Sequence, residues 1–396
     1  MKVVMLAKWS EKELSGGVAV HTINLVRSLS KFDELELYVI SFGNESKTLK
    51  IGNAKVILIK APKLYYIFPI LALIRLAWEV KKIKPDIIHV QGSNLSPYLL
   101  YAVFLNRKAK KVITFHSYPT IELVAHKKLK EGSFRYRILK WLEKMTVEKA
   151  DVLISVDTRI KSWIVKEFGI KHANKTIVIP NGINTRKFNP LSYNNRKRLI
   201  REKYNISQKD TIIFHAKAFT PKNGQEYLIR AMKLILKENP KTKLILAGDG
   251  PLRKKLETLT HELNITENVI FVGNLPNDLI PEYLAAVDIV VVPSIHIKGL
   301  EEATSIFLAE AMVMGKPVVA SNIGGLRETI VDGVNGILVP DKDPNAISKA
   351  VLKIIDNPVL KVKLGRNAIR YIENKRTWET LAKRTIKIYR TLLKAS

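Results

Sequence analysis

The stretch EEATSIFLAEAMVMGKPVVASNIGG, Glu301 to Gly325, sets acidic side chains in an apolar context. Glu310 stands among Ile306, Phe307, Leu308, Ala309, Ala311 and Met312, and Glu302 lies just before the apolar run. A carboxylate in apolar surroundings is costly unless it has a partner, which is either another side chain, such as a lysine, or a ligand. If a helix begins near Ser305, its first N–H groups and positive dipole end lie beside Glu302. Glu310 then follows roughly 12 Å from Glu302, at about 1.5 Å per residue, a separation suited to the two ends of an elongated ligand. Lys217 and Lys222, in HAKAFTPKNGQEYLIRAM, flank a turn containing Pro221 and Gly224. Two cations so placed suit a diphosphate, although most of the 66 Lys and Arg residues must simply face solvent. Gly16 and Gly17, in SGGVAVHTINLVRSL, allow backbone conformations closed to other residues ahead of a helix. Such a corner can take a phosphate or be a plain turn. His116, in KVITFHSYPT, follows a buried strand, a place open to a structural or a functional histidine.

Apolar runs rich in Val and Ile recur along the chain, each followed by a helical pattern, as in parallel βαβ units. KVVMLA, LELYVISF, KVILIK, DIIHVQG, KVITFH, DVLISV and TIVIPNG read as strands of a first half. The polar stretch TRKFNPLSYNNRKRLIREKYNISQKD carries none. TIIFHAKAF, KLILAGDG, NVIFVGN, DIVVVPS, KPVVAS and GILVP then resume the pattern, and two helical segments close the chain. The simplest account is α/β: two doubly wound sheets joined near residues 186–210. Ligands of open α/β sheets bind beyond the carboxyl ends of strands, where the candidate residues fall.

The 396 residues exceed the usual size of a single core, and 46% hydrophobic with 26% charged residues is a globular composition. The absence of cysteine excludes disulfide scaffolds and thiolate metal sites. MKVVMLAKWSEKELSGG breaks into charge and glycine too early for a signal peptide. The apolar segment Leu64 to Trp78 is too short to span a bilayer and contains Pro69 and Arg75, so a buried or interfacial helix is expected. A formal charge of +30 points to anionic partners or to a lysine-rich, thermophile-like surface.

The motifs, taken in order, resemble the retaining family-4 glycosyltransferases of the GT-B fold. EATSIFLAE has the family's E-x7-E spacing, continued by AMVMGKPVVAS. SGGVAVHTINLVRSL looks like its glycine loop, and DIIHVQG, KVITFHSYPT, ADVLISVDTRIKSWI and VIPNGINTRKFNP like the first-domain segments. AKAFTPKNG, LAGDGPLRKKLE, VIFVGNLPNDLIPEYLAAVDIVVVPS and GGLRETIVDGVNGILVPDKDPNAI resemble the second domain. The resemblance implies two facing Rossmann-like domains with a deep cleft between them. These are an acceptor-binding domain at 1–190, with a helix at about 376–396 packed back on it, and a sugar-nucleotide domain at 191–375.

By that resemblance, Lys217 and Lys222 bind the donor diphosphate, with Ser305, Ile306 and Phe307 offering backbone N–H groups. Glu310 accepts from ribose hydroxyls, Glu302 orients the transferred sugar and Leu275 lies against the base. Gly16 and Gly17 sit by the phosphates, and His116 lies near the sugar, so that Glu302, His116 and Lys222 form the catalytic set. Lys217 stands where the family usually has arginine, keeping the charge but losing the bidentate fork. Ala303-Thr304-Ser305 stands where Gly-Phe-Gly is common. The implied reaction moves glucose, mannose or a related hexose from a UDP-, GDP- or ADP-sugar to a hydroxyl of a sugar, glycan or lipid-linked acceptor, with retention. The sugar nucleotide is substrate rather than cofactor, and no metal is expected because no Asp-x-Asp pair ends a strand.

An epimerase or a phosphorylase of the same shape is the alternative within enzymes. Nucleic-acid binding is disfavoured, since no basic-aromatic module accompanies the charge. A cytoplasmic protein is expected. Arg135, Arg137 and Lys140, among Phe134, Tyr136, Ile138 and Trp141, together with the Lys127–Lys130 run, suggest peripheral contact with an anionic inner membrane face, or else an ordinary amphipathic helix.

Overall fold

The computed structural model describes residues 1–9, 17–60, 69–92, 96–106, 108–125, 128–297 and 305–394. The chain forms two compact units, Met1–Gly182 with Trp378–Ser396, and Ile183–Thr377.

The first unit is built on β1 (Lys2–Leu6), β2 (Glu36–Gly43), β3 (Lys47–Ile51), β4 (Ala54–Lys60), β5 (Ile87–Gln91), β6 (Lys110–Phe115), β7 (Val152–Ser155) and β8 (Thr176–Val178). Their order is β3-β4-β2-β1-β5-β6-β7-β8. Every pairing is parallel except β3 with β4. β1 shows why these strands are apolar throughout. Val3 and Met5 enter a core shared with Leu381, Ile386 and Tyr389 of the helix Trp378–Lys394. Val4 and Leu6 enter a second core with Leu76 and Val80 of the helix Pro69–Ile83 and Val147 of the helix Phe134–Lys149. Successive strand side chains point to opposite faces, so a sheet covered on both sides is apolar at every position. β3 departs from this. KTLKI alternates half-buried with exposed residues on an antiparallel edge, has no continuous apolar run, and is absent from the strand candidates of the sequence.

The second unit holds β9 (Thr211–Ala216), β10 (Thr242–Ala247), β11 (Val269–Gly273), β12 (Ile289–Val292), β13 (Val318–Ser321) and β14 (Ile337–Val339), all parallel, in the order β11-β10-β9-β12-β13-β14. Ile212 and Phe214 of β9 join one core and Ile213 the other. The strand order reverses between β1 and β5 in the first unit and between β9 and β12 in the second. A reversal leaves a crevice at the carboxyl ends of the two central strands, because their following segments leave in opposite directions.

Candidate functional site

The β9/β12 reversal is held by buried polar contacts. His215 of β9 is fully buried, with Nδ1 2.9 Å from the Val291 carbonyl oxygen and Nε2 3.2 Å from Gln225 Nε2. A carbonyl only accepts and an amide nitrogen only donates, so Nδ1 carries the proton and Nε2 accepts. Burial pushes His215 down to about 3, which keeps it neutral. Gly224 has φ +67°, and a Cβ on it would fall 1.9 Å from the Pro293 carbonyl oxygen. Gly248 has φ +136°, and its Cβ would fall 2.2 Å from the Lys217 carbonyl oxygen. These glycines allow the backbones after β9, β10 and β12 to press together.

Lys217 is half-buried just past β9, its N–H donating to the Ala247 carbonyl at 3.0 Å. Lys222 is exposed in the turn Pro221–Asn223, and its carbonyl accepts from the Ile295 N–H at 2.9 Å. Two amide oxygens of this loop, Asn223 Oδ1 and Gln225 Oε1, are buried with no hydrogen-bond partner. Sequence reading missed Asn223, Gln225 and His215, and the strand-end position of His215 was the available signal.

Ser305 is the N-cap of the helix Ile306–Val313, and its Oγ accepts from the Leu308 N–H at 3.3 Å. The N–H groups of Ile306 and Phe307 have no acceptor within the helix, as in any first turn. Phe307 packs edge-on against Phe214 and His215, at 5.6 and 6.1 Å between ring centres. Leu275 is half-buried against the same core. Glu310, five positions along from the cap, is half-buried, and no described residue hydrogen-bonds or ion-pairs with its carboxylate. Burial pushes its carboxyl up to about 7, with Lys187 acting in the opposite direction. Lys187 itself is paired with Asp278 at 2.7 Å. Glu302 and Gly16 lie outside the described residues, and Gly17 opens the helix Gly17–Leu29.

The first unit carries a second polar cluster, around His116 just past β6. His116 Nε2 lies 3.0 Å from Gln91 Oε1 and so donates, leaving Nδ1 as an acceptor. Gln91 Nε2 is 3.1 Å from His89 Nε2, which also lies 2.7 Å from Thr114 Oγ1. His89 Nδ1 is 2.6 Å from the Tyr389 hydroxyl. His21 meets the His116 ring edge-on at 4.7 Å, and its Nδ1 donates to Asn181 Oδ1 at 2.9 Å. Desolvation pulls His21 down to about 4, His89 to about 3 and His116 well below the usual imidazole range. A charge on one ring would also repel a charge on the next, and all three are neutral at physiological pH. Of this cluster the sequence offered only His116. His89 and Tyr389, for instance, are 300 positions apart, and only the packing of the helix Trp378–Lys394 on the sheet brings them together.

The family described as "Glycosyl transferases group 1" matches residues 196–371, and "Glycosyltransferase Family 4" matches residues 15–187. The chain belongs to these glycosyltransferases. An uncharacterized glycosyltransferase of Methanocaldococcus jannaschii is 32% identical over 249 residues, 63% of this chain and 62% of the relative. The GDP-mannose-dependent alpha-(1-6)-phosphatidylinositol monomannoside mannosyltransferase of Mycolicibacterium smegmatis is 31% identical over 218 residues, 54% of this chain and 56% of the relative. The chain thus matches less than two thirds of the length of either. The structure of sucrose-phosphate synthase from Thermosynechococcus elongatus superposes with a TM-score of 0.73 at 23% identity, covering both chains in full, and the fold is GT-B.

Proposed function

We propose that this glycosyltransferase moves a hexose from a nucleoside diphosphate sugar to a hydroxyl of a glycan or lipid-linked acceptor with retention of configuration. Glu310 carries the reading. It is a half-buried carboxylate at the strand-order reversal that no described residue satisfies, and the two hydroxyls of a ribose would supply the missing donors. The diphosphate would then lie toward the helix N-terminus, against the Ile306 and Phe307 N–H groups, Lys217 and Lys222. The base would rest on Leu275. In this reading Glu302 orients the sugar and Gly16 and Gly17 approach the phosphates, roles that rest on the motifs alone. His116 lies near the sugar, a role that likewise rests on the motifs alone.

As the bond from the anomeric carbon to the diphosphate oxygen breaks, the acceptor oxygen bonds to the same face. The acceptor proton passes to the departing phosphate oxygen. Negative charge grows on that phosphate, so preorganised cations and N–H groups lower the barrier there. Among donors, GDP-mannose is favoured by the dependence that the mycobacterial relative's name records.

The test is to incubate the protein with GDP-mannose, UDP-glucose or ADP-glucose and alkyl glycoside or phosphatidylinositol acceptors, following products by proton NMR. An α-linked product from an α-linked donor supports the reading. A β-linked product overturns retention. Transfer to inorganic phosphate, or epimerised donor without transfer, replaces the reading by a phosphorylase or an epimerase.

A further inference from the structure

Among the described residues of the first unit, the exposed tryptophan and phenylalanine side chains are grouped. On the helix Pro69–Ile83, Ala72, Leu76 and Val80 are buried, while Leu71, Ile74 and Trp78 face outward. On the helix Phe134–Lys149, Phe134, Ile138 and Trp141 form a second outward stripe at i, i+4 and i+7. The helical turn Tyr101–Leu105 touches both helices and adds exposed Leu105. Phe104 of that turn stacks on Trp141 at 5.8 Å between ring centres. Trp78, Phe134 and Trp141 are 59%, 80% and 53% exposed, and no tryptophan or phenylalanine elsewhere among the described residues is as open to solvent. A helix buried on one face normally turns charge to solvent, so two helices that both contact the turn Tyr101–Leu105 and carry apolar outer stripes are anomalous.

Cations lie within and beside these stripes. The helix Pro69–Ile83 has Arg75, Lys81 and Lys82 against Glu79 alone, with Lys82 Nζ 2.8 Å from the centre of the Trp78 ring. The helix Phe134–Lys149 has five cations against two carboxylates. Arg135, Arg137 and Lys144 are exposed there. Lys140 is not part of this surface. It is half-buried and paired with Glu167 at 2.6 Å and Glu143 at 3.5 Å, a correction to the sequence reading that grouped it with Arg135 and Arg137. Lys127 lies outside the described residues.

We propose that the first unit docks on an anionic lipid surface through the outer faces of Pro69–Ile83 and Phe134–Lys149. Trp78, Phe134 and Trp141 enter the interfacial layer while the arginines and lysines beside them meet lipid phosphates. Charge complementarity selects this occupant. A second copy would bring the same cations face to face, and aliphatic Leu71, Ile74 and Ile138 offer a nucleic acid neither stacking nor hydrogen bonds. The proposal deepens the reading of a lipid-linked acceptor but does not depend on the donor site.

The experiment is co-sedimentation of the full chain, without donor or acceptor, with vesicles of phosphatidylcholine and phosphatidylglycerol and with vesicles of phosphatidylcholine alone. It is repeated on Ile74→Ser/Trp78→Ser and on Phe134→Ser. All three positions are exposed, so melting temperatures should match the wild type. Binding to the mixed vesicles that weakens in high salt, is absent on the neutral ones, and falls about tenfold or more in the double variant supports the proposal. It is overturned if the wild type ignores anionic vesicles at low salt. It is equally overturned if both variants bind like the wild type, which would leave bulk charge as the cause, or if they instead abolish a dimer seen by size-exclusion. Because no sugar nucleotide is present, failure here leaves the donor-site assignment untouched, and the reverse holds too.

Discussion

The β9/β12 reversal and the polar cluster around His116 both gather side chains at strand ends, yet they handle charge in opposite ways. In the second unit His215 is buried and neutral, but Lys222 is exposed, Lys217 half-buried and Glu310 carries a carboxyl raised to about 7. In the first unit burial keeps the imidazoles of His21, His89 and His116 neutral, linked through Gln91, Thr114, Asn181 and Tyr389. One region holds cations and a carboxylate at or near the surface, and the other holds a buried, internally bonded set of uncharged donors and acceptors.

Removing charge from the second unit should break the comparison most sharply. Lys222→Ala should lower turnover by about 10²–10³, as loss of one preorganised group at a developing anion does elsewhere. Its melting temperature should not change, since the side chain is exposed. Full turnover in steady-state assays would remove Lys222 from the site. Next in size is the backbone that holds the loops. Gly224→Val combines φ +67° with a Cβ 1.9 Å from a carbonyl oxygen, and should cost on the order of 3 kcal/mol or more in urea unfolding.

Glu310 and the first-unit histidines should also respond oppositely to pH. Glu310 is raised from 4.5 to about 7 in the folded protein, so the folded state holds a proton that the unfolded state has lost. Its contribution therefore turns unfavourable as pH rises through that window. Glu310→Gln should stabilise the ligand-free protein at pH 8 by about 1–3 kcal/mol and much less at pH 4.5. The histidines run the other way. His21 and His89 are lowered from 6.5 to about 4 and about 3, so stability is lost as pH falls below 6.5. Thermal melts from pH 7 to pH 4.5 should show that loss, reduced in His89→Gln. The smallest effect is expected at Tyr389→Phe, where one hydrogen bond to His89 disappears at about 1 kcal/mol and donor affinity stays unchanged.

How far each region can be read from sequence follows from the same physics. Strands buried on both faces announce themselves as unbroken Val and Ile runs, so both sheets are legible, whereas the edge strand KTLKI is not. Glu310 is conspicuous because it interrupts an apolar helix, and Ser305 because it is a good N-cap. Gln225 is an ordinary polar residue in sequence, and His215 is marked only by its place near a strand end. The histidine cluster draws on positions 21, 89, 116, 181 and 389, and no local pattern links them.

The most direct test of the account is calorimetric titration of the wild type and Glu310→Gln with GDP-mannose at pH 6 and pH 8. If ribose hydroxyls bind the ionised carboxylate, wild-type affinity should fall by about tenfold from pH 8 to pH 6, since the proton must first leave a group of pKa about 7. The glutamine variant should bind more weakly than the wild type at pH 8 and show no such pH dependence. Equal affinity of the two proteins at pH 8, with the same pH profile in both, would contradict the placement of the nucleotide on Glu310.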